Sequence, residues 1–262
     1  MSCGNIKIHR KLNKNKIGTD YFIGDLHGQL TSLKRILSTV KFNPETDRVI
    51  CTGDLVDRGT SSLECLRLTA QSWFYSVMGN HEEFILDEDN SSPYKRTVWE
   101  RNGGAWWFSL TNGERQECRD LIVNNMSYSL SVELEDYHIG VIHSEVPMKT
   151  WPISEMVLNE HRREILWGRS VITSCEENIV TGVDVIIAGH TPVDTPLLVG
   201  NQLFLDTGSG YSPSERINNP HLTACKITRG DITFFHATEF TCTVSKFTVA
   251  EGILLDQLKK RM

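Results

Sequence analysis

The chain has 262 residues, seven cysteines and a formal net charge of −6 at pH 7. That acidic balance argues against wholesale electrostatic attraction to nucleic acid, and no apolar run approaches the roughly 20 residues of a membrane span. Cys3, Cys51, Cys65, Cys118, Cys175, Cys225 and Cys242 are scattered without a CxxC pair, which implies neither a zinc knuckle nor a disulfide framework and fits a reducing cytoplasm.

Residues 1–17, with Lys7, Arg10, Lys11, Lys14 and Lys16, read as a flexible basic leader before a single domain spanning 18–262. Tyr21-Phe22-Ile23 is a short apolar run ending at Gly24-Asp25, which predicts a buried strand delivering a carboxylate at its carboxyl end. Leu30, Leu33, Ile36, Leu37 and Val40 then recur at helical spacing. Arg48 to Thr52 repeats the strand and ends at Gly53-Asp54, with a helix expected over Ser61 to Leu68. Trp73 to Met78 repeats it again and ends at Gly79-Asn80-His81. Strand, glycine-bearing turn and helix in succession predict a βαβαβ unit with right-handed crossovers. Ligands in such folds gather at the carboxyl ends of the strands.

Residues 88–126 break that rhythm and predict a helical cap inserted into the αβ core. Trp99, Trp106, Trp107 and Phe108 within it suit a core; a wall of the substrate groove is the alternative. Strands are expected over Tyr128 to Leu134 and Tyr137 to Ile142, the second ending at His143. A helix over Glu155 to Leu166 and a strand over Val183 to Ala188, ending at Gly189-His190, follow. Short strands from Pro196 to His236 suit a second sheet packed on the first. The tail offers a strand over Cys242 to Val249 and a helix over Ile253 to Lys259. The fold class is α/β.

Four phrases carry the chemistry: Gly24-Asp25-Leu26-His27-Gly28, Gly53-Asp54-Leu55-Val56-Asp57-Arg58-Gly59, Gly79-Asn80-His81-Glu82 and Gly189-His190-Thr191. Oxygen and imidazole donors without cysteine suit Mn²⁺, Mg²⁺, Fe²⁺ or Zn²⁺. Asp25 and His27 can reach one ion together. Asp54, with two carboxylate oxygens, is the natural bridge between two ions about 3.5–4 Å apart. Asn80 brings a neutral carbonyl oxygen, and His143 and His190 bring imidazoles from later strand ends. His138 competes with His143, but five residues apart on a strand they face opposite ways, and His143 holds the carboxyl end. His81 adjoins Asn80 and can protonate a leaving-group oxygen if a carboxylate orients it; Asp57 is the chosen partner. The Arg58 guanidinium matches two phosphate oxygens at once.

GDLHG, GDLVDRG, GNHE, the strand-end His143 and AGHTP follow in the order of the metal-dependent serine/threonine phosphoprotein phosphatases. The chain resembles that family's bacterial and bacteriophage-type members, within the metallophosphoesterase superfamily. The resemblance implies a four-layered αβ-sandwich of two mixed sheets flanked by helices. It assigns Asp25, His27 and Asp54 to one divalent ion, and Asp54, Asn80, His143 and His190 to a second. It supports the Asp57–His81 pairing and makes Arg169, after Leu166-Trp167, the second phosphate clamp, with Arg162 and Arg163 as alternatives. It favours Mn²⁺, with Fe²⁺, Zn²⁺, Mg²⁺ and Ni²⁺ as alternatives.

The implied reaction is hydrolysis of phosphoserine and phosphothreonine monoesters, with phosphotyrosine in reach, in a phosphorylated protein or peptide. Attack is direct, by a metal-bridging hydroxide, with no nucleic-acid or membrane partner. A diadenosine-polyphosphate hydrolase is the same-fold alternative; its family shares GDLHG but tends to depart from the Asp-Arg-Gly and Asn-His-Glu forms found here. An inactive protein-binding scaffold is the alternative of another class. Asp206 to Gly210 closes the series of motifs, as backbone near the cleft or as a structural turn.

Overall fold

A computed structural model describes residues 6–88, 92–174, 179–215 and 217–248. The expected βαβαβ unit forms from β2 (Asp20–Ile23), α1 (Leu30–Thr39), β3 (Arg48–Cys51), α2 (Ser62–Arg67) and β4 (Phe74–Ser76). The three strands lie side by side in parallel. Each is buried on both faces, and alternate residues serve different cores. Tyr21 and Ile23 pack in one apolar cluster with Leu33 and Ile36 of α1, while Phe22 between them packs in another with Ile50 and Val77. A two-residue side-chain period sorts the strand in this way.

Two six-stranded mixed sheets result. The remaining strands are β1 (Lys7–Leu12), β5 (Ser127–Glu133), β6 (His138–Ile142), β7 (Val185–Ala188), β8 (Leu197–Val199), β9 (Gln202–Phe204), β10 (Leu222–Thr228), β11 (Asp231–Ala237) and β12 (Cys242–Thr248). One sheet runs β1-β5-β6-β7-β9-β8 and the other β12-β11-β10-β2-β3-β4. Leu130, Val141 and Ile187 from the first sheet meet Phe22, Ile50, Cys225 and Phe234 from the second in the core between them. The helices cover the outer faces. The remaining helices are α3 (Asn80–Leu86), α4 (Pro93–Arg101), α5 (Asn112–Asn125), α6 (Glu155–Trp167) and α7 (Ser170–Ser174).

Two expectations are corrected. Residues 7–12 of the basic leader are not a flexible segment: they form β1, paired in parallel with β5 from Lys7 opposite Ser127 to Leu12 opposite Val132. Ile6, Ile8 and Leu12 pack against the apolar clusters, and the Lys11 ammonium meets Glu133 at 2.6 Å. Lysines on a sheet edge discourage pairing with another chain, so the charge that suggested solvent belongs to an edge strand. The strands after Pro196 also do not build a sheet of their own. β8 and β9 extend the β5-β6-β7 sheet, whereas β10 and β11 extend β2-β3-β4.

Between Pro93 and Asn125 the chain is helical. The Ser92 hydroxyl accepts the Lys95 N–H, with Pro93 in the first turn, and Thr111 and Glu114 close a reciprocal cap on α5. Trp99 and Trp107 are fully buried and Phe108 packs on Trp99. Trp99 and Trp107 therefore belong to the core, while Trp106 and Phe108 are half-buried against it. Cys51, Cys65, Cys118 and Cys225 are buried free thiols. No helix among the described residues is long and apolar enough to cross a membrane. The expected helix over Ile253 to Lys259 lies outside the described residues.

Candidate active site

Loops leaving the carboxyl ends of β2, β3, β4, β6 and β7 converge on one point. Asp54 stands at its centre. Three imidazole nitrogens face its Oδ2: His143 Nε2 at 3.5 Å, His27 Nε2 at 3.6 Å and His81 Nε2 at 3.8 Å. These separations are too long for strong hydrogen bonds. Two groups of donors lie within 4.8 Å of one another, His27 with Asp54 and His81, and Asp54 with His143 and His190. Asp54 belongs to both, the place expected for a bridge.

Backbone carbonyls set which imidazole nitrogen faces inward. His27 Nδ1 donates to the Val56 carbonyl and His143 Nδ1 to the Thr52 carbonyl, each at 2.8 Å. Both Nε2 lone pairs are thereby left pointing at the centre. His143 Nε2 then lies 2.9 Å from Asn80 Oδ1, which is also 2.8 Å from His190 Nδ1. With the amide so oriented, the carbonyl oxygen and the His143 lone pair are two acceptors face to face. A shared cation satisfies that arrangement. Asp25 sits at the margin, its oxygens accepting from the Thr52 hydroxyl and the His190 N–H at 2.8 Å each. His138 opens β6 at the surface, away from the centre.

The electrostatics describe the same donor set. Burial, then the Asp206 and Asp54 charges, push the Asp25 carboxyl well above its ordinary value. Burial raises Asp206 to about 6, and burial with the Asp54 charge raises Glu82 to about 7. Burial lowers His143, and burial with the neighbouring His143 lowers His190 to about 2. Buried carboxylates among neutral imidazoles form an electron-rich cluster that calls for positive charge. The residues present fit a pair of divalent ions.

The local backbone is strained to achieve this. Six non-glycine residues among those described have positive φ, and five belong to the site: His27 (44°), Asp54 (45°), Asp57 (72°), Arg58 (64°) and His190 (66°). Left-handed backbone costs non-glycine residues about 1–3 kcal/mol each. The neighbouring glycines make close approach possible. A Cβ at Gly189 would overlap the Asp25 carboxylate, and one at Gly79 would overlap Asp54.

His81 is the second residue of α3. Its Nδ1 donates to Asp57 Oδ2 at 2.5 Å, leaving Nε2 toward Asp54 and Arg58. Burial alone would lower this imidazole, but Asp54 and Asp57 outweigh it and raise its pKa above the ordinary value. The Arg58 guanidinium lies against His27 Nε2, donates to the Tyr211 hydroxyl at 3.0 Å and stacks over that ring. Arg169 Nε donates to His190 Nε2 at 3.3 Å, whereas Arg162 is tied to Glu83 at 3.0 Å. A cavity of about 730 Å³ opens beside Arg169 and His190, walled by Phe84, Tyr94, Trp167, Arg162 and Arg163.

Two residues carry more than their motifs indicated. Glu82 is fully buried and accepts the N–H groups of Asp54 (3.0 Å), Leu55 (2.8 Å) and Gly79 (2.8 Å), clasping the second and third motifs together. Its place as the last letter of GNHE was the available signal. Asp206 is a buried carboxylate whose charge acts on Asp25, and a Cβ at Gly210 would press on His27 and Arg58, so the Asp206 to Gly210 segment brings its backbone close to the cleft.

Comparison with known proteins gives the family. The family model described as calcineurin-like phosphoesterase matches residues 21–194, and the chain belongs to that family. A relative named serine/threonine-protein phosphatase 2, from Salmonella typhimurium, is 34% identical over 194 residues, covering 72% of this chain and 87% of its own. A symmetrical bis(5'-nucleosyl)-tetraphosphatase from Actinobacillus succinogenes is 44% identical, but over only 68 residues, 25% of each chain. The crystal structure of a putative diadenosine tetraphosphatase superposes with a TM-score of 0.55 at 16% identity, covering 94% of this chain and 100% of that one; the likeness is one of fold.

Proposed function

We propose that the chain is a metal-dependent protein phosphatase that hydrolyses phosphoserine and phosphothreonine monoesters in the cytoplasm. The observation that carries this reading is the convergence of three imidazole nitrogens on Asp54 Oδ2, with the Asp57–His81 pair and Arg58 at the rim. The 34% relative with a phosphatase name supports it over most of the chain.

Asp25, His27 and Asp54 would hold one ion, and Asp54, Asn80, His143 and His190 the other; Mn²⁺ is the proposed metal. Bound ions at such a site supply Lewis-acid charge and bring the pKa of water near neutrality. Water attacks phosphorus in line, the ester P–O bond breaks, and the His81 Nε2 proton passes to the departing alkoxide. Asp57 holds the imidazole in the tautomer that places that proton toward the cleft. Arg58 and Arg169 bind the phosphoryl oxygens, where charge redistributes in the transition state. No phosphoenzyme is involved.

The test compares release of phosphate from a phosphoserine peptide, p-nitrophenyl phosphate and diadenosine tetraphosphate, with Mn²⁺, Mg²⁺, Ni²⁺ and Zn²⁺ in turn. Metal-stimulated turnover of the peptide supports the proposal. Preference for the dinucleotide would make the chain the same-fold alternative, and turnover of none of the three would make it a scaffold.

A further inference from the structure

The Asp57 carboxylate is fully buried and carries more donors than an orienting carboxylate needs. Oδ2 accepts His81 Nδ1 at 2.5 Å and Trp99 Nε1 at 2.8 Å; Oδ1 accepts Trp106 Nε1 at 2.6 Å. An indole N–H donates and cannot accept, so both indoles act as fixed donors to one anion. Trp99 comes from α4 and Trp106 from the 3₁₀ turn Gly104–Ser109. The cap thus reaches the catalytic rim. The same loop also touches the backbone beside Asp57, where the Gly103 carbonyl accepts the Arg58 N–H at 3.4 Å.

Trp99 is clamped by a stack on Phe84, with ring centres 5.7 Å apart and planes at 16°. Its donor position is fixed by packing. Trp106, only half-buried, meets the opposite carboxylate oxygen. Donors on both oxygens fix the carboxylate plane, and that plane decides whether Oδ2 meets His81 Nδ1 in line.

We propose that Trp106, with Trp99 behind it, is a positioning residue for phosphoester cleavage: its indole N–H locks the Asp57 carboxylate that aims the His81 proton at the leaving oxygen. The inference rests on the proposed role of His81 as proton donor. Trp106 touches neither substrate nor metal donors in this role; it acts through Asp57.

A built-in control lies next door. Trp107 is fully buried in the same cluster, yet among the described residues its Nε1 has no hydrogen-bond partner. Trp106→Phe removes a ring edge and a donor to Asp57, whereas Trp107→Phe removes a ring edge alone. With Mn²⁺-loaded full-length protein, Trp106→Phe should lower kcat on a phosphoserine peptide about 10-fold, near the lower end of what a hydrogen bond to a charged group is worth. KM should stay within about twofold, and the loss on p-nitrophenyl phosphate should be about threefold or less, because a phenolate departs with little protonation. Trp107→Phe should leave both kcat values within about twofold per folded molecule, even where it lowers the melting temperature.

His81→Asn separates failure of the inference from failure of the reading beneath it. If His81→Asn shows the larger loss on the peptide and Trp106→Phe does not, His81 keeps its role and the positioning claim is overturned. If His81→Asn loses equally on both substrates, the proton-donor reading falls and takes the inference with it. Adding Trp106→Phe to His81→Asn should cost less than about twofold more, since both act on one step. A full additional 10-fold loss would show that Trp106 acts elsewhere and overturn the claim.

Discussion

At the carboxyl ends of β2, β3 and β7, five residues sit on left-handed backbone among buried carboxylates. In the β10-β11-β12 ribbon, seven residue pairs run without interruption across each strand junction. There the only positive φ falls on Gly230, in the turn between Thr228 and Asp231. The ribbon extends the sheet that holds β2 and β3, yet local and global preferences agree in one region and conflict in the other. Conflict is sustainable at the rim because Phe22, Ile50 and Ile187 anchor the strands beneath it in the core between the sheets. Regular structure supplies the stability, and the strained ends of that structure carry the chemistry.

Substitution at the rim should remove function with little loss of fold. Asp54→Asn should cost about 10³-fold or more in kcat, because a neutral amide gives up the charge shared by both proposed ions. Asp25→Asn should cost less, since Asp25 serves one ion at most. Steady-state kinetics with metal analysis of both variants checks this ranking. Substitution in the ribbon should do the reverse. Ile232→Ala empties a fully buried position between the sheets and should cost about 2–5 kcal/mol of stability. Turnover per folded molecule should be unchanged, as measured by urea unfolding beside kcat.

Two finer changes sharpen the contrast. Arg169→Lys keeps a positive charge but loses the planar fork, and should lower kcat/KM about 10-fold, or about 1.4 kcal/mol. Arg162→Lys should remain close to the parent, because Arg162 is tied to Glu83. Among the described residues, Lys41 is the one strained non-glycine residue outside the site, exposed at φ 52°. Lys41→Gly should raise stability by about 1 kcal/mol without altering kcat, whereas relieving φ at Asp57 in the same way would abolish the pairing with His81.

The smallest effect is one of pH. Burial, then the nearby His221, lowers the His236 imidazole in the ribbon from 6.5 to about 4. The unfolded chain takes up this proton first as pH falls, so stability from His236 is present above about pH 6.5 and is lost toward pH 4. His236 is only half-buried, and solvent screening should keep the change below about 1 kcal/mol. Urea midpoints at pH 7 and pH 5 should differ slightly less in His236→Gln than in the parent.

The strand ends that carry the proposed ligands were legible because each is a short apolar run closed by glycine and a polar donor, a pattern that needs no tertiary information. The position of His143 followed from the same rule. β1 escaped because lysines alternate with Ile6, Ile8 and Leu12, and composition was weighed ahead of period. The division of the late strands between two sheets depends on which edges stand open after β2 to β7 assemble, which no local window contains. The indole donors were hidden by distance, since Trp99 and Trp106 lie 42 and 49 residues beyond Asp57. Their aromatic character announced a core, but only the folded chain aims their N–H groups at a carboxylate.

The central claim is that the strained rim is a two-ion hydrolytic centre organised on Asp54. Bound Mn²⁺ per chain, measured by elemental analysis across a titration of the metal-stripped protein, tests it most directly when phosphate release from a phosphoserine peptide is followed on the same samples. The account predicts that turnover rises to a plateau as occupancy reaches two ions per chain, and that Asp54→Asn fails to reach that occupancy. Full turnover at one ion per chain, or two ions held equally well by Asp54→Asn with near-parental turnover, would contradict it.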